Sequence, residues 1–433
     1  MGSDSLVVDS SASWKHGLRW LLGAAFLLTA VGCSAAGASA AEVGEEVSVD
    51  DAIVEVDHTP VERQSIGNCW IYAEATWIES MHKTATGADL DISQSWMTYW
   101  HWYDQVMAGA KSVETGGFWS TANSLVERYG IVEEKDFVEQ DTQAEMSLRQ
   151  SAALASLNEA LKTANLTTGR GLRRRIDGAK VRAILDEAWQ IKPPVREYMT
   201  RVFGESFNRS LTRSATNAGT PVKRASEIPA AYSTGPGRPV VTKTVGDAIR
   251  EWRSVSYSWQ RDRRAYHQRV QRALHDRAPV IVTWFVDFNG LENRDNERRG
   301  SFNLTTLNDM GAGRQGWHMT VMHDYQAKLA DGTVLLAGPE HVLDPQKPED
   351  AAKLAAALEP STEIQFYRTK NSWGASRADR SFVPGMPGYH DLYLDYLNGP
   401  VKECEVDDAG NTDTTQCNRS ITPLSEVILP PGY

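Results

Sequence analysis

Apolar positions Trp70, Ala73, Trp77 and Met81 follow one another at three- and four-residue intervals. That is the period of a helix with one buried face, and it predicts a helix whose N-terminus lies at or beside Cys69. Ser93-Gln94-Ser95 opens a second helical stretch, Trp96 to Met107, aromatic on several faces and so heavily buried. A third, Trp119 to Tyr129, follows Gly116-Gly117 and stops at Gly130, a residue that closes helices readily. Residues 140–275 continue as a helical region, broken near Pro193-Pro194 and by a Gly/Pro/Ser/Thr-rich loop from Thr216 to Thr242. Its last helix, about Arg261 to His275, leads into the apolar run Ala278 to Val286, a buried strand. Further strands are expected at His318–Tyr325, Val334–Leu336, Ile364–Lys370 and Tyr389–Tyr396. Helices first and strands later make the chain α+β rather than alternating α/β.

A chain of 433 residues can bury a full core. Its net charge of −11 is unevenly spread: residues 170–277 hold 23 Lys/Arg against 10 Asp/Glu, which leaves −24 on the remainder. The plainer expectation for the basic stretch is an Arg-rich helical insertion, about 140–265, that docks on the acidic body or stays solvated. A nucleic-acid patch is the weaker alternative.

Lys15, His16 and Arg19 precede the apolar run Trp20 to Val31, too short to span a bilayer and right for the core of a signal peptide. The run ends in Thr29-Ala30-Val31-Gly32-Cys33. Processing there leaves Cys33 as a lipidated N-terminus and anchors the protein to a membrane; cleavage at Ala38-Ser39-Ala40 instead releases a secreted or periplasmic protein. The expected organisation is a signal or lipoprotein peptide over 1–33, an acidic tether over 34–59 and a single large domain over 60–433. Either route means export, to a bacterial-type cell envelope or beyond it, and export permits disulfides. Cys404 and Cys417 flank a polar loop suited to a bridged turn. Cys69 is then left unpaired; a buried inert thiol is the ordinary alternative, but a lone thiol in an exported chain points to reactivity.

Cys69 stands in Gln64-Ser65-Ile66-Gly67-Asn68-Cys69-Trp70, followed far downstream by Gly316-Trp317-His318 and Lys370-Asn371-Ser372-Trp373-Gly374. A thiol at a helix N-terminus is helped toward thiolate by partial positive charge and free amides, and a nearby imidazolium adds a full charge. His318 would form an ion pair with the thiol and later protonate a leaving amine, while Asn371 holds the other ring nitrogen. His323 is the nearest rival base, but its odd offset from His318 puts it on the opposite face of a strand. Gln64 can offer its amide to an oxyanion together with the Cys69 N–H. Gly116-Gly117 is either a plain turn or a bare edge for main-chain pairing with an extended peptide. No cluster at metal-ligand spacing and no phosphate loop is present, so no cofactor is expected.

Gln64, Gly67-Asn68-Cys69-Trp70, Gly116-Gly117, Trp317-His318 and Asn371-Ser372-Trp373-Gly374, in that order, resemble the papain family of cysteine peptidases. The resemblance spans roughly 60–140 and 265–400. It implies a papain-like two-lobed fold, with Cys69 on a helical lobe, His318 and Asn371 on an antiparallel β-rich lobe, and a cleft between. It also implies Cys69 as nucleophile, His318 as acid/base, Asn371 as orienter and Gln64 as oxyanion donor. Gly116 and Gly117 would meet the substrate backbone, and Trp373 would shield the His–Asn bond beside a peptide or protein substrate. Three departures stand out. Gln64 is one residue closer to the cysteine than the family's loop usually allows. Ile66 replaces a disulfide cysteine common in secreted members, a style nearer the bleomycin-hydrolase-like branch. Cys69 and His318 lie 249 positions apart, and His318 and Asn371 lie 53 apart, both consistent with insertions, the second through a helix near Pro348–Leu358. An amidase or acyltransferase acting on cell-wall peptides, or a non-catalytic peptide-binding homologue, would present the same pattern. Oligomeric state leaves no mark in the sequence.

Overall fold

The computed structural model describes residues 56, 58–142, 144–169, 175–211, 217–338, 343–377, 379–406 and 411–433. The signal-like segment, Cys33 and nearly all of the acidic tether lie outside the described residues.

Helix α1 spans Cys69–Thr86, α2 Gln94–Met107 and α3 Trp119–Tyr129. Each begins where the sequence pattern placed it. Ser93 caps α2 through the Trp96 N–H, and Gly130 closes α3 at φ 66°. Trp70, Trp77, Trp96, Trp100 and Trp102 are all under 2 % exposed, so α1 and α2 form the centre of an aromatic core. At roughly 25 cal/mol per Å2 of apolar surface removed from water, such rings carry much of the stability of this layer.

The basic region packs into that core. Helices α4 (Leu148–Thr163), α5 (Gly178–Ala188) and α6 (Pro193–Phe203) bury Leu157, Val181, Leu185, Met199, Val202 and Phe203. Pro193 and Pro194 start α6 rather than break a helix, because the first turn has no use for their missing N–H. Its ion pairs to the acidic body, Lys192–Glu139 and Lys223–Glu133, lie at the exposed edge. The region is held by apolar burial, not mainly by charge. The segment expected as a loop from Thr216 to Thr242 contains one arm of a hairpin and most of the other, Pro229–Ser233 paired antiparallel with Val240–Thr244. Helix α7 (Val245–Glu251) follows it, and α8 (Arg263–His275) leads to the sheet.

Eight strands make that sheet: β1 Arg253–Ser256, β2 Ile281–Asp287, β3 Ser301–Phe302, β4 Gln315–Lys328, β5 Val334–Leu335, β6 Glu363–Lys370, β7 Tyr389–Tyr393 and β8 Leu424–Leu429. Their order is β1-β8-β2-β4-β6-β7-β3, with β5 on the end of β4; all pairs are antiparallel except β7 with β3. The expected strand to Tyr396 stops at Tyr393, where a short helix takes over. A helix over Pro348–Ala357 fills the connection before β6, and Cys404 and Cys417 form a disulfide. The chain is α+β, with α1 laid across β4.

Glu74 is an exception on the buried side of α1. It is fully buried, and neither carboxylate oxygen has a hydrogen-bond partner among the described residues. Burial pushes its pKa well above the usual carboxylate range. Above pH 4.5 the unfolded chain releases this proton while the folded chain keeps it, so stability is lost as pH rises. Glu74→Gln is expected to stabilise the protein by about 1–3 kcal/mol at pH 7 in urea unfolding, with the gain shrinking toward pH 4. A gain that does not change with pH would mean that Glu74 carries its charge in the fold.

Candidate active site

The segment before Cys69 is stitched to the segment that carries Asn371. Gln64 N–H donates to the Ser372 carbonyl at 2.9 Å, Gly374 N–H donates to the Glu62 carbonyl at 3.1 Å, and Arg63 bridges Trp373. Gly374 sits at φ 77°, where a Cβ would meet Glu145 Oε1 at 2.8 Å and Arg63 Cβ at 2.9 Å. Only glycine fits that crossing. Two loops more than 300 residues apart in sequence are thereby held in register beside the helix N-terminus.

Asn68, just before the helix, uses its side chain elsewhere. Nδ2 donates to Thr98 Oγ1 at 3.1 Å and to Gln150 Oε1 at 2.9 Å, and no side chain caps α1. The first amides of α1 stay available, and those of Cys69 and Trp70 reach the Cys69 sulfur along with the Met319 N–H from β4. Gln150 belongs to α4, so the inserted region buttresses the turn before Cys69. Sequence reasoning gave that region no role here.

His318 lies one residue before Met319 on β4, opposite Trp284 of β2. Its Nε2 is 2.7 Å from Asn371 Oδ1. The Ser372 N–H also donates to Oδ1, at 2.8 Å, and that donor identifies Oδ1 as the amide oxygen. His318 Nε2 must therefore carry the proton, which leaves Nδ1 of the neutral ring as the base. Trp373 is buried and lies over the imidazole, with ring centroids 4.9 Å apart and planes 25° from parallel. His323 points to the other side of the sheet, against His58 and Tyr389.

Gln64 accepts from Ser372 Oγ at 2.6 Å through Oε1 and donates one Nε2 proton to the Ile66 carbonyl at 2.8 Å. Its orientation is set from both ends, and one N–H remains to give. Trp70 Nε1 donates to the Thr115 carbonyl at 2.8 Å, and a Cβ on Gly117 would fall 2.4 Å from the Trp70 ring. Gly117 is thus required by packing, whereas a Cβ on Gly116 would meet nothing within 4 Å. The pair lies against the residue next to Cys69, open on the Gly116 side.

Burial pushes the Cys69 thiol up to about 11 and the His318 imidazole down to about 4, against the smaller opposing pull of their hydrogen bonds. Both shifts run against the ion pair expected from sequence, because desolvation penalises each charge. A thiol held protonated gains thiolate as pH rises. Alkylation of Cys69 by iodoacetamide, followed by mass spectrometry, should accelerate continuously from pH 6 to pH 9. A flat rate over that range would signal a preformed thiolate.

One further residue emerges only from the structure. Asn371 Nδ2 is 3.2 Å from His390 Nδ1 on β7, and His390 is fully buried. Since Nδ2 must donate, His390 Nδ1 accepts; burial keeps that ring neutral by pushing its pKa down to about 3. His390 holds the amide so that its oxygen faces His318, an indirect positioning role. No motif marks it, because the contact arises from pairing of β6 with β7. His390→Phe is expected to lower kcat on a peptide substrate about 10-fold with little change in KM, and His390→Gln, which can still accept, should recover most of it. Equal losses in both variants, or a loss confined to KM, would remove the role.

No family model and no curated protein matches the chain. Among solved structures it is similar to the cysteine protease CMS1MS2 of Carica candamarcensis, at 14 % identity over 87 % of this chain and 93 % of that one, with a TM-score of 0.30. It is also similar to xylellain, a cysteine protease from Xylella fastidiosa, at 12 % identity over 88 % and 86 %, with a TM-score of 0.35. Bromelain of Ananas comosus matches at 13 % identity over 87 % and 94 %, with a TM-score of 0.32. Likeness at this level lends no weight to a function, which rests on the arrangement of Cys69, His318 and Asn371.

Proposed function

We propose that the chain is a papain-like cysteine peptidase acting on peptides or proteins, in a style nearer the bleomycin-hydrolase-like branch. In the cycle, Cys69 sulfur bonds to the scissile carbonyl carbon as its proton passes to His318 Nδ1. The carbonyl oxygen takes the negative charge and accepts from the Cys69 N–H and the uncommitted Gln64 Nε2–H. The C–N bond then breaks, His318 protonates the departing amine, and a thioester remains on Cys69. Water, deprotonated by His318, hydrolyses the thioester and restores the thiol. Asn371 keeps the imidazole oriented throughout, Trp373 keeps the pair dry, and the open backbone at Gly116-Gly117 pairs with the substrate main chain. All of these proton transfers run through the named side chains and water.

The observation that carries this reading is the tautomer of His318. Asn371 Oδ1 accepts from the Nε2–H and leaves Nδ1 as the basic nitrogen, one residue before the Met319 N–H that reaches the Cys69 sulfur at an uncapped helix start. Treating the purified chain with a peptidyl epoxide or vinyl sulfone tests it. Labelling of Cys69 should proceed in step with loss of hydrolysis of a casein or fluorogenic peptide substrate. Full labelling with hydrolysis unchanged counts against the proposal.

Export also belongs to the proposal, supported by the apolar run before Cys33 and compatible with the disulfide between Cys404 and Cys417. Incorporation of radiolabelled palmitate by the full chain expressed in bacteria, lost in Cys33→Ala, is the expected sign of a lipid anchor.

A further inference from the structure

Next to Trp373 lies an open depression of about 410 Å3 whose charged lining residues are Arg299, Arg377 and Arg380. Among the described residues no carboxylate lines it. Arg380 connects it to the candidate site: its guanidinium carbon is 4.7 Å from the Phe288 ring centroid and 5.8 Å from that of Trp373. Arg314 lies over the same Phe288 ring at 4.2 Å. Four guanidinium groups thus share this corner. Asp379 forks onto Arg377 and comes within 3.7 Å of Arg380, and Asp295 reaches Arg299 at 3.4 Å. Glu145 is turned inward and satisfied by Ala375 and Ser376. Among the described residues no carboxylate pairs with Arg314, and Arg380 Nε is buried without a hydrogen-bond partner. Four guanidinium groups thus face two carboxylates, Asp379 and Asp295. Arg314 and Arg380 are both pushed below the usual arginine range, first by burial and then by Arg377. Gathering like charges and burying a donor costs stability unless something else repays it.

The position says what that is. His318 must protonate the leaving amine, so the part of the substrate that leaves lies on the His318 side of the sulfur. Trp373 covers His318, and Arg380 lies beside Trp373. The guanidinium is therefore within about 11 Å of the imidazole, about three residues of extended chain. We propose that this arginine-lined depression binds a carboxylate on the leaving portion of the substrate, up to about three residues beyond the scissile bond. The carboxylate is either the free C-terminus or an Asp or Glu side chain. Guanidinium suits it, because its planar fork matches a carboxylate with two parallel bonds.

The inference deepens the peptidase reading and rests on it for direction, but its test does not need turnover. Fluorescently labelled peptides of one sequence are titrated by anisotropy onto the full chain carrying Cys69→Ala. One ends in a free carboxylate, one in an amide, and two amide-capped versions carry Glu or Gln near the C-terminus. Either acidic form should bind about 10-fold tighter than its neutral match at low salt, and whichever pair shows the difference identifies the source. The ratio should fall toward one in Arg380→Gln and in Arg377→Gln; Arg377 is the less buried of the two, so folding does not limit the comparison. Acidic and neutral peptides that bind equally, or do not bind at all, overturn the inference. A retained preference without any cleavage by the native enzyme overturns the catalytic reading and leaves the anion site standing.

Discussion

Cys69→Ala is expected to abolish the proposed peptide hydrolysis, with kcat reduced by roughly 10^4-fold or more, while the thermal midpoint of the protein hardly moves. In the proposed mechanism the sulfur forms the covalent intermediate, and Gln64, His318 and Asn371 have no substitute for it. Its removal leaves the fold intact because it deletes a single sulfur whose donors are backbone amides. Cys69→Ser should be almost as inactive, since a hydroxyl is far harder to deprotonate than a thiol and His318 is a weak base in this dry setting. Hydrolysis of an internally quenched peptide, read beside circular-dichroism melting, separates the two effects. Activity surviving in Cys69→Ala would move the chemistry away from this site altogether.

Asp391→Ala costs about 3–5 kcal/mol of stability. Arg368 on β6 and Asp391 on β7 stand directly opposite each other and form a bidentate pair at 2.8 and 3.0 Å. Both side chains are nearly buried, 7 % and 11 % exposed, so alanine strips the interior guanidinium of its bidentate partner and leaves it the pull of buried Asp324. Arg368→Met with Asp391→Leu should regain most of the loss, because an apolar pair removes both desolvation costs at once. Denaturant unfolding of the two single variants and the double variant measures this. A double variant as unstable as Asp391→Ala would mean that the pair contributes more than the cost of burying it. Activity follows the same lesion: β6 runs into Asn371 and β7 carries His390, so slackening this pairing loosens the support of the imidazole.

The three catalytic candidates were legible because each sits in a short local pattern: a helix start at Cys69, Trp317-His318 in an apolar strand, and Asn371-Ser372-Trp373-Gly374 with its turn glycine. Helices α1, α2 and α3 were legible for the same reason, since apolar period and end signals act within a few residues. The hairpin at 229–244 was hidden by its own turn, whose glycines and prolines read as loop although Ala230 and Tyr232 are buried. His390 was invisible because Thr369 pairs with it only once β6 and β7 are in register. Gln150 was lost within a stretch whose charge drew attention away from its apolar face.

By itself the sequence determined which side chains can do chemistry and which short elements carry them, because residue type and local periodicity are properties of neighbours. Only the tertiary structure decided which nitrogen of His318 is left unprotonated, that burial disfavours charge on both thiol and imidazole, and that four arginines gather in one corner by Phe288 and Trp373. Proton placement, desolvation and charge crowding depend on atoms that the chain brings together from hundreds of residues apart.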